Sequence, residues 1–500
     1  MELRRQKIAV IGSGFGGLSA AIRLACQGHE VTIYEKLDKP GGRGYQYDLN
    51  GFKFDGGPTV ITAPHQYDEL FELAGKKRED YLTFIPLDPF YRIFNGNGDC
   101  FNYWRAQDKT EAEIAKFSPS DIAGYRIFLK KMNAIFQWFH PFTEKSFSTL
   151  FSFLRIFPYV FSTGTWRSMY GFASKHVKND FMRKVLSFHP LLIGGNPFDT
   201  PSIYGLIIGF EKEWGVHYCL GGTGAIVKAL CQIFEECGGT IRLNTEVSSL
   251  IIEDKRAAGL ILSDGSIVKT DSLVCNGELA ICYKNLIPKE KLPWSLDFWL
   301  KNIQYSNSLV VIYFGTKKKY SDSKLSHHNL ILGNDYKQFM KDVFSKKSMP
   351  RELGLYLHMP SASDPSIAPD GCESFYVLSL VPNLDGKIDW KVTLPEYTEK
   401  VLAFLEDNYL PDLKKNIVVQ HAVSPLHFAS TLNSFKGAAF AIKPTMVQSG
   451  YFRPQVKSKW FKDLYFVGAS VHPGAGVPAV MASGKIAASE ISSVKLPNNK

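Results

Sequence analysis

The sequence of 500 residues lacks the features that mark several common protein classes. Its eight cysteines form no Cys-x-x-Cys pair and show no regular spacing, so neither a disulfide framework nor a zinc site is expected. We interpret them as small buried hydrophobic residues in a reducing compartment. The sequence also contains no HExxH motif and no P-loop, and we predict no metal site.

Long apolar runs are missing as well. No stretch reaches the roughly 20 uninterrupted apolar residues of a membrane-spanning helix, and no signal peptide fits the start of the chain. Hydrophobic residues make up 45% of the chain and charged residues 21%, as in ordinary globular proteins. Because 500 residues are too many for one compact core, we expect two or more closely packed domains.

The net charge of +10 arises largely in residues 126–190. This segment contains ten basic and two acidic residues, together with 16 aromatic residues. Its run from Phe147 to Phe161 is interrupted by Arg155 and Pro158, which excludes a clean membrane span. Two interpretations stay open: a buried helix pair in a large second domain, or a surface that enters the lipid interface while its cations face anionic head groups.

A glycine fingerprint near the start of the chain predicts a dinucleotide site. A short apolar run ends in Gly12-x-Gly14-x-x-Gly17, and a helical pattern rich in Ala and Leu follows. The first glycine permits a tight turn, the second lets the backbone approach a pyrophosphate, and the third lets the helix pack closely on the strand. A second predicted strand, from Glu30 to Tyr34, ends at Glu35, whose carboxylate can accept hydrogen bonds from a ribose.

A second glycine loop lies near the end of the chain. Residues 463–484 are predicted as a buried strand, a glycine loop and a helix of small residues, whose N-terminal amides can face a negative group. Two such loops suit FAD better than NAD, because FAD is a long cofactor with a phosphate end and a ring end. Between them we predict a hairpin that turns at Asn50-Gly51, a helix over 225–237 and then a small β-meander, as in flavoproteins.

These motifs together resemble one flavoprotein family. They comprise residues 12–21, Glu35 with 41–43, 55–64, 189–198, 437–454 and 468–484, and so extend over nearly the whole chain. The chain is similar to the bacterial and fungal type of phytoene desaturase, within the amine-oxidase-like flavoproteins. The nucleotide motifs occur throughout that superfamily, whereas 57–62, 444–454 and 472–478 are more specific to carotenoid desaturases.

The resemblance implies FAD-dependent removal of hydrogens from phytoene or a similar lipid-soluble polyene, with a quinone or oxygen as electron acceptor. It implies a peripheral protein on the cytoplasmic face of a membrane, because substrate and product dissolve only in lipid, and no nucleic-acid partner. The residues that would hold FAD are Gly12, Ser13, Gly14, Gly17, Glu35, Lys36, Gly42, Arg43, Pro58, Thr59, Val247, Gly468, Ala469, Gly476 and Val477.

The implied fold is α/β, with a Rossmann-like FAD-binding domain assembled from discontinuous segments. An inserted mixed α+β substrate domain and a helical, aromatic-rich, membrane-facing part complete it. We assign the FAD-binding domain to residues 1–64, 211–284 and 437–495. The substrate domain takes residues 65–210, which include the membrane-associated part, and 285–436.

No catalytic residue is predicted. A hydride leaves an allylic carbon for the flavin, and the adjacent carbon loses a proton from a cation that flavin and aromatic faces can stabilise, so a strong base is not required. His189 and His472 are candidates by position only.

Several other functions share these motifs and stay open. They are a C30 diapophytoene desaturase, a later-acting carotenoid desaturase or oxygenase, and a retinol-saturase-like reductase. A prenyl-binding protein similar to the Rab GDP-dissociation inhibitors would use a related fold without chemistry. An amine oxidase is less expected, because many of those enzymes link the flavin to a late cysteine and no cysteine follows Cys372.

Overall fold

The secondary structure alternates between strands and helices along most of the chain. The computed structural model describes residues 5–320 and 323–493, so residues 1–4 and 494–495 of the predicted FAD-binding segments lie outside the described residues. The β-strands, in chain order, are β1 (Lys7–Ile11), β2 (Glu30–Tyr34), β3 (Gln46–Leu49), β4 (Phe52–Asp55), β5 (Phe84–Pro86), β6 (Tyr91–Phe94), β7 (Cys100–Tyr103), β8 (His217–Cys219), β9 (Thr240–Arg242), β10 (Val247–Glu253), β11 (Arg256–Leu262), β12 (Ile267–Lys269), β13 (Ser272–Cys275), β14 (Ser308–Thr316), β15 (His328–Ile331), β16 (Leu355–His358), β17 (Glu373–Val381), β18 (Ile417–Val423) and β19 (Leu464–Phe466). The α-helices are α1 (Phe15–Cys26), α2 (Pro64–Leu73), α3 (Gln107–Phe117), α4 (Ile122–Thr143), α5 (Leu150–Thr163), α6 (Met169–Ser174), α7 (Asp180–Val185), α8 (Leu206–Trp214), α9 (Gly222–Glu236), α10 (Leu279–Ile281), α11 (Trp294–Asn302), α12 (Tyr336–Lys341), α13 (Trp390–Asn408), α14 (Leu413–Asn416), α15 (Pro425–Ser430) and α16 (Val477–Ser493).

The N-terminal unit is a parallel β–α–β unit, as the glycine fingerprint predicts. Strand β1 pairs with β2 from Lys7↔Glu30 to Ile11↔Tyr34, and α1 forms the crossover between them. The complete sheet is parallel and has the strand order β19-β13-β1-β2-β9. It therefore combines strands from the start, the middle and the end of the chain.

Helix α16 packs along α1 through small residues. A Cβ atom at Gly484 would lie 2.7 Å from the carbonyl oxygen of Gly16, and a Cβ atom at Gly17 would lie 2.3 Å from the carbonyl oxygen of Gly12. Both distances are shorter than a carbon–oxygen contact allows. Glycine at these positions therefore lets α1 approach both its neighbouring helix and the strand beneath it.

The other predicted local elements are also present. Strands β10, β11 and β12 form the antiparallel meander, and α9 precedes them. Strands β3 and β4 form the predicted hairpin, in which Asn50 and Gly51 have φ angles of 52° and 81°. Positive φ at both turn residues favours the Asn-Gly pair, because these residues tolerate the left-handed region best.

A seven-stranded mixed sheet faces the parallel sheet across the molecule. Its order is β18-β14-β17-β16-β15-β6-β7, and only β15 and β6 among these strands run parallel. Strands β14 and β17 pair over nine positions, from Ser308↔Val381 to Thr316↔Glu373. Five of the seven strands come from the predicted second part of the substrate domain, and β6 and β7 come from the first part.

The basic, aromatic segment 126–190 divides into a buried and an exposed helix. Helix α4 buries one face, including Tyr125, Phe128 and Met132, against the second hydrophobic core. Helix α5 instead exposes large apolar side chains, with Phe151 exposed to 76%. In the part of the chain that the structure describes, no helix combines the length and the apolar character needed to cross a membrane.

Candidate functional site

A cavity of about 460 Å³ lies between the parallel sheet and the seven-stranded sheet. Glycine loops line one part of it, including Gly14, Gly42 and Gly476. Aliphatic and aromatic side chains line the rest, among them Leu191, Phe339 and Leu380. The cavity thus has a polar end, formed by backbone amides of the glycine loops, and an apolar end, which we call the apolar chamber.

The first glycine loop connects β1 to the N-terminus of α1. Gly12 has a φ of 93°, and Gly14 is the N-cap residue of α1 without any side chain that caps the helix. The carboxylate of Glu35, at the end of β2, accepts hydrogen bonds from the backbone N–H of Ser13 at 2.9 Å and from its hydroxyl at 2.6 Å. It also accepts one from the N–H of Leu37 at 3.0 Å. The carboxylate thus fixes the loop and lies at the position that the fingerprint assigns to a ribose ligand.

Two further predicted residues lie beside Glu35. The N–H of Thr245 donates to the carbonyl oxygen of Glu35 at 2.8 Å, which brings the start of β10 and the buried Val247 to the end of β2. Burial lowers the pKa of the Lys36 ammonium, while the nearby carboxylates of Glu246 and Glu35 oppose this change. The three predicted residues Glu35, Lys36 and Val247 therefore lie where the end of β2 meets the start of β10.

Arg43 places a cation against the cavity wall. Its Nη2 atom donates to the hydroxyl of Ser434 at 2.7 Å, whereas its buried Nε has no hydrogen-bond partner among the described residues. Burial lowers the pKa of the guanidinium, and the carboxylate of Glu278 acts in the opposite direction. Gly42, Pro58 and Thr59 line the same cavity.

The loop that contains Pro58 and Thr59 is held by tyrosine hydroxyl groups of the seven-stranded sheet. The Thr59 hydroxyl lies 3.0 Å from the hydroxyl of Tyr356 and 2.9 Å from that of Tyr376. The Tyr376 hydroxyl also lies 3.2 Å from the carbonyl oxygen of Gly57, and Thr223 donates to the carbonyl oxygen of Pro58 at 2.5 Å. Asp55 at the start of this loop lines the cavity, and burial raises its pKa to about 6.

The second glycine loop follows β19 and leads into α16. Gly468, Ala469, Gly476 and Val477 all line the cavity, as does Gly14 from the first loop. The buried Arg453 braces this loop from behind, because its guanidinium donates to the carbonyl oxygens of Ala469 at 2.6 Å and of Val471 at 3.1 Å. The sequence analysis did not predict Arg453 as a site residue. Arg453 is 2% exposed, and its signal in the sequence is its place within residues 444–454, one of the stretches that resemble carotenoid desaturases.

The two histidine candidates do not line the cavity in the described part of the chain. His189, on a short 3-10 helix, and Glu211, on α8, are fully buried, and Nε2 of His189 lies 3.0 Å from the Glu211 carboxylate. His472 donates from Nε2 to the carbonyl oxygen of Phe142 at 3.0 Å, and burial lowers its pKa to about 4. Both side chains hold structure, and neither is placed to contact a substrate.

The donor set fits FAD. The N-termini of α1 and α16 both open toward the cavity, and their free amides favour phosphate or a reduced ring. Arg43 offers a buried, unpartnered N–H, and the Glu35 carboxylate can accept from hydroxyl groups. A cofactor with a ribose, a pyrophosphate and a ring system has a matching group for each of these features.

Comparisons with known proteins agree with this geometry. The family model described as flavin containing amine oxidoreductase matches residues 15–492. The chain is 40% identical over 486 residues to phytoene desaturase (lycopene-forming) of Pseudescherichia vulneris, covering 97% of this chain and 98% of that one. It is 36% identical over 498 residues to 4,4'-diapophytoene desaturase (4,4'-diaponeurosporene-forming) of Staphylococcus haemolyticus, covering 96% and 97%. A solved oxidoreductase from Methanosarcina mazei has the same fold, with a TM-score of 0.67, 18% identity and coverage of 97% and 100%.

Proposed function

The chain belongs to the flavin-containing amine oxidoreductases, and on that premise we propose that it is a FAD-dependent phytoene desaturase. It is an oxidoreductase that acts on CH–CH bonds of a long, lipid-soluble polyene. The observation that carries this proposal is the continuity of the cavity, because one end presents amides and a cation while the other presents apolar side chains. The high identity to carotenoid desaturases over nearly the whole chain supports it.

Bound FAD supplies the acceptor for a hydride. The chain binds and orients: the loops that contain Gly12, Ser13, Gly14, Gly17, Gly42, Arg43, Gly468, Ala469, Gly476 and Val477 would hold the phosphates and the ring. Glu35 would bind the ribose, Lys36 and Val247 would flank it, and Pro58 and Thr59 would contact the ring end. The apolar chamber binds the polyene and excludes water from the reacting carbons.

A reconstitution assay tests the function. Purified protein with FAD should convert phytoene in liposomes into coloured products when a quinone or oxygen is supplied as electron acceptor, because each desaturation lengthens the conjugated system. Diapophytoene serves as the matched C30 substrate. Conversion of diapophytoene alone would contradict the C40 assignment, and conversion of neither substrate would contradict the function.

We also propose that the protein acts as a peripheral protein on the cytoplasmic face of a membrane. The support is an exposed apolar stripe on α5, formed by Phe151, Leu154, Phe157 and Phe161. This stripe, which we call the aromatic face, has the spacing of one side of a helix, and the adjacent Phe452 is also exposed. Apolar side chains among basic ones are typical of a helix that lies in a lipid interface.

The aromatic face lies close to the cavity wall. Helix α5 contacts the 450–452 segment. Next to that segment, Ser449 and the cavity-lining Tyr204 have hydroxyl groups 2.7 Å apart. A polyene that leaves the bilayer at this face would therefore be only a few residues away from the chamber wall.

Liposome co-sedimentation tests this surface. Each cation near an anionic leaflet contributes about 1 kcal/mol, which salt screens, whereas apolar insertion resists salt. Binding to anionic vesicles should therefore fall in high salt without vanishing, and the double variant Phe151→Ser with Phe161→Ser should lose most of the salt-resistant part. The control is Trp294→Ser with Phe298→Ser, two exposed side chains on α11. Equal binding by wild type and the α5 variant would place the docking surface elsewhere.

A further inference from the structure

Three histidines are buried together next to the cavity wall. His328 on β15 pairs directly with His358 on β16, and His358 pairs with Tyr376 on β17. His327 precedes β15, and one ring nitrogen from each histidine lies within 4.8 Å of the others. All three side chains are at most 4% exposed, which is unusual for imidazoles in a sheet interior.

A continuous set of hydrogen bonds joins the cavity to this cluster. Thr59 and Tyr356 both line the cavity, and their hydroxyl oxygens are 3.0 Å apart. The Tyr356 hydroxyl lies 2.7 Å from Nδ1 of His328. Thr59, Tyr356 and His328 therefore form an unbroken path from the apolar chamber to a basic nitrogen.

The other two imidazoles form a hydrogen-bonded pair of their own beside His328. Nε2 of His358 lies 2.9 Å from Nε2 of His327, and Nδ1 of His327 lies 2.9 Å from the hydroxyl of the half-buried Ser363. Nε2 of His328 and Nδ1 of His358 are buried without a hydrogen-bond partner among the described residues. Among the described residues no hydrogen bond joins His328 to the other pair, so the bonded path from the cavity ends at His328.

We propose that Thr59, Tyr356 and His328 accept the proton that leaves the substrate. This inference rests on the proposed desaturase function. Loss of a hydride with its electron pair leaves a cation on the polyene. The adjacent C–H bond then breaks, its electron pair forms the new double bond, and its proton binds Thr59 Oγ1. The Thr59 proton passes to the Tyr356 oxygen, and the Tyr356 proton passes to Nδ1 of His328.

The environment suits such a transfer. Burial holds the pKa of His328 well below its ordinary value, so the imidazole is neutral and free to accept before the reaction. A substrate cation is a far stronger acid than an imidazolium, so even a weak base accepts its proton. The same weak basicity prevents His328 from retaining the proton. The two carboxyl groups that line the cavity, Asp55 and Glu278, already accept hydrogen bonds from Thr223 and from Ser470.

Two variants and one matched control test this proton path. Tyr356→Phe and His328→Gln should slow single-turnover desaturation at least tenfold, since positioned proton transfer contributes about 10²–10⁴-fold. The control is Tyr376→Phe, which removes another hydroxyl bonded to Thr59 but leaves the Tyr356–His328 bond intact. It should slow the reaction less than either variant and keep the wild-type solvent isotope effect, which the two variants should lose. FAD content and Tm of each protein identify any variant that fails to fold.

A readout without substrate separates this proposal from the function itself. In ¹⁵N-histidine NMR spectra of the resting protein, Nδ1 of His328 should be an unprotonated acceptor that shifts in Tyr356→Phe and not in Tyr376→Phe. A protonated Nδ1 would overturn the proposed direction of transfer. Equal rates in Tyr356→Phe and Tyr376→Phe would reduce Tyr356 to a structural support. A stoichiometric transition metal that is lost in His328→Gln would also overturn it, because metal-bound nitrogens cannot relay protons. Absence of desaturation in the wild type would contradict the proposed desaturase function itself, and not only the proton path.

Discussion

Replacement of Glu35 by alanine tests most directly whether this carboxylate binds the ribose of FAD. The buried carboxylate receives three hydrogen bonds from Ser13 and Leu37. Four lone-pair directions are available on a carboxylate, so it retains capacity for a ribose hydroxyl. The substitution removes that acceptor and also leaves the backbone N–H groups of Ser13 and Leu37 without their present partner. We therefore expect both weaker cofactor binding and a less stable loop.

The magnitudes follow from the number and type of bonds lost. A hydrogen bond to a charged group contributes about 1.5–3 kcal/mol. Loss of one such bond to the ribose raises the Kd of FAD by about 10- to 150-fold. Each buried backbone N–H that loses its acceptor lowers the free energy of unfolding by about 1–3 kcal/mol when water cannot replace it. Glu35→Ala should thus affect binding and stability together.

Two measurements separate these effects. Titration of apoprotein with FAD gives the Kd, and urea unfolding of apoprotein gives the free energy of unfolding. Ser13→Ala is the matched control, because it removes one hydroxyl bond to Glu35 and leaves the carboxylate. It should raise the Kd less than tenfold. A folded Glu35→Ala protein with the wild-type Kd would refute the assignment of Glu35 as ribose ligand.

Three further outcomes are expected from the geometry. Gly17→Ala should abolish soluble, FAD-binding protein, because its Cβ would lie 2.3 Å from a backbone oxygen; soluble protein with wild-type FAD content would contradict this. Acid precipitation should release all flavin into the supernatant, since no cysteine lines the cavity in the described residues; flavin retained in the pellet would argue against non-covalent binding. Lys485 bonds the carboxylates of Glu69 and Glu144 at 3.0 and 2.9 Å. Burial raises the pKa of both carboxyls. Hydrogen bonds from Arg23 to Glu69 and from Lys485 to both carboxyls outweigh this effect, so both pKa values are lowered. Their contribution to stability is present at neutral pH and is lost as the pH falls below the ordinary glutamate value near 4.5. Lys485→Met should therefore unfold more easily than wild type at pH 7, and the difference should shrink below pH 4; a constant difference at all pH values would refute the electrostatic explanation.

The local part of the fold was predictable from the sequence because its signals are short-range. The bounds of β2 and the turn of the β3–β4 hairpin follow from apolar runs and from Asn50-Gly51, which act over a few residues. Local patterns do not indicate which strands pair with each other. Strand β19 joins β13 through Leu273↔Leu464, a pairing that no local pattern indicates. The two glycine loops could be assigned to one FAD from their local motifs, but the strand order that brings them together could not be predicted.

The support of the Thr59 loop was not predictable for the same reason. Tyr356 and Tyr376 follow Thr59 by about three hundred residues, and each occurs in an ordinary strand pattern. Their meeting depends on the pairing Tyr356↔Leu378 and on the approach of the loop after β4 to the seven-stranded sheet. Side chains that converge from separate sheets leave no periodicity in the sequence. His327 and His328 are visible as a pair in the sequence, but the third member, His358, is not.

The parallel sheet has a consequence for the order of events during synthesis. Strands β1 and β2 are synthesised about 430 residues before β19 and α16. At roughly 5–20 residues per second, the nucleotide loop waits on the order of tens of seconds for the helix that packs against α1. Over that interval the β13 edge and the apolar side of α1 are uncovered. We therefore expect that chaperone protection of the nascent chain over this interval raises the yield of active protein.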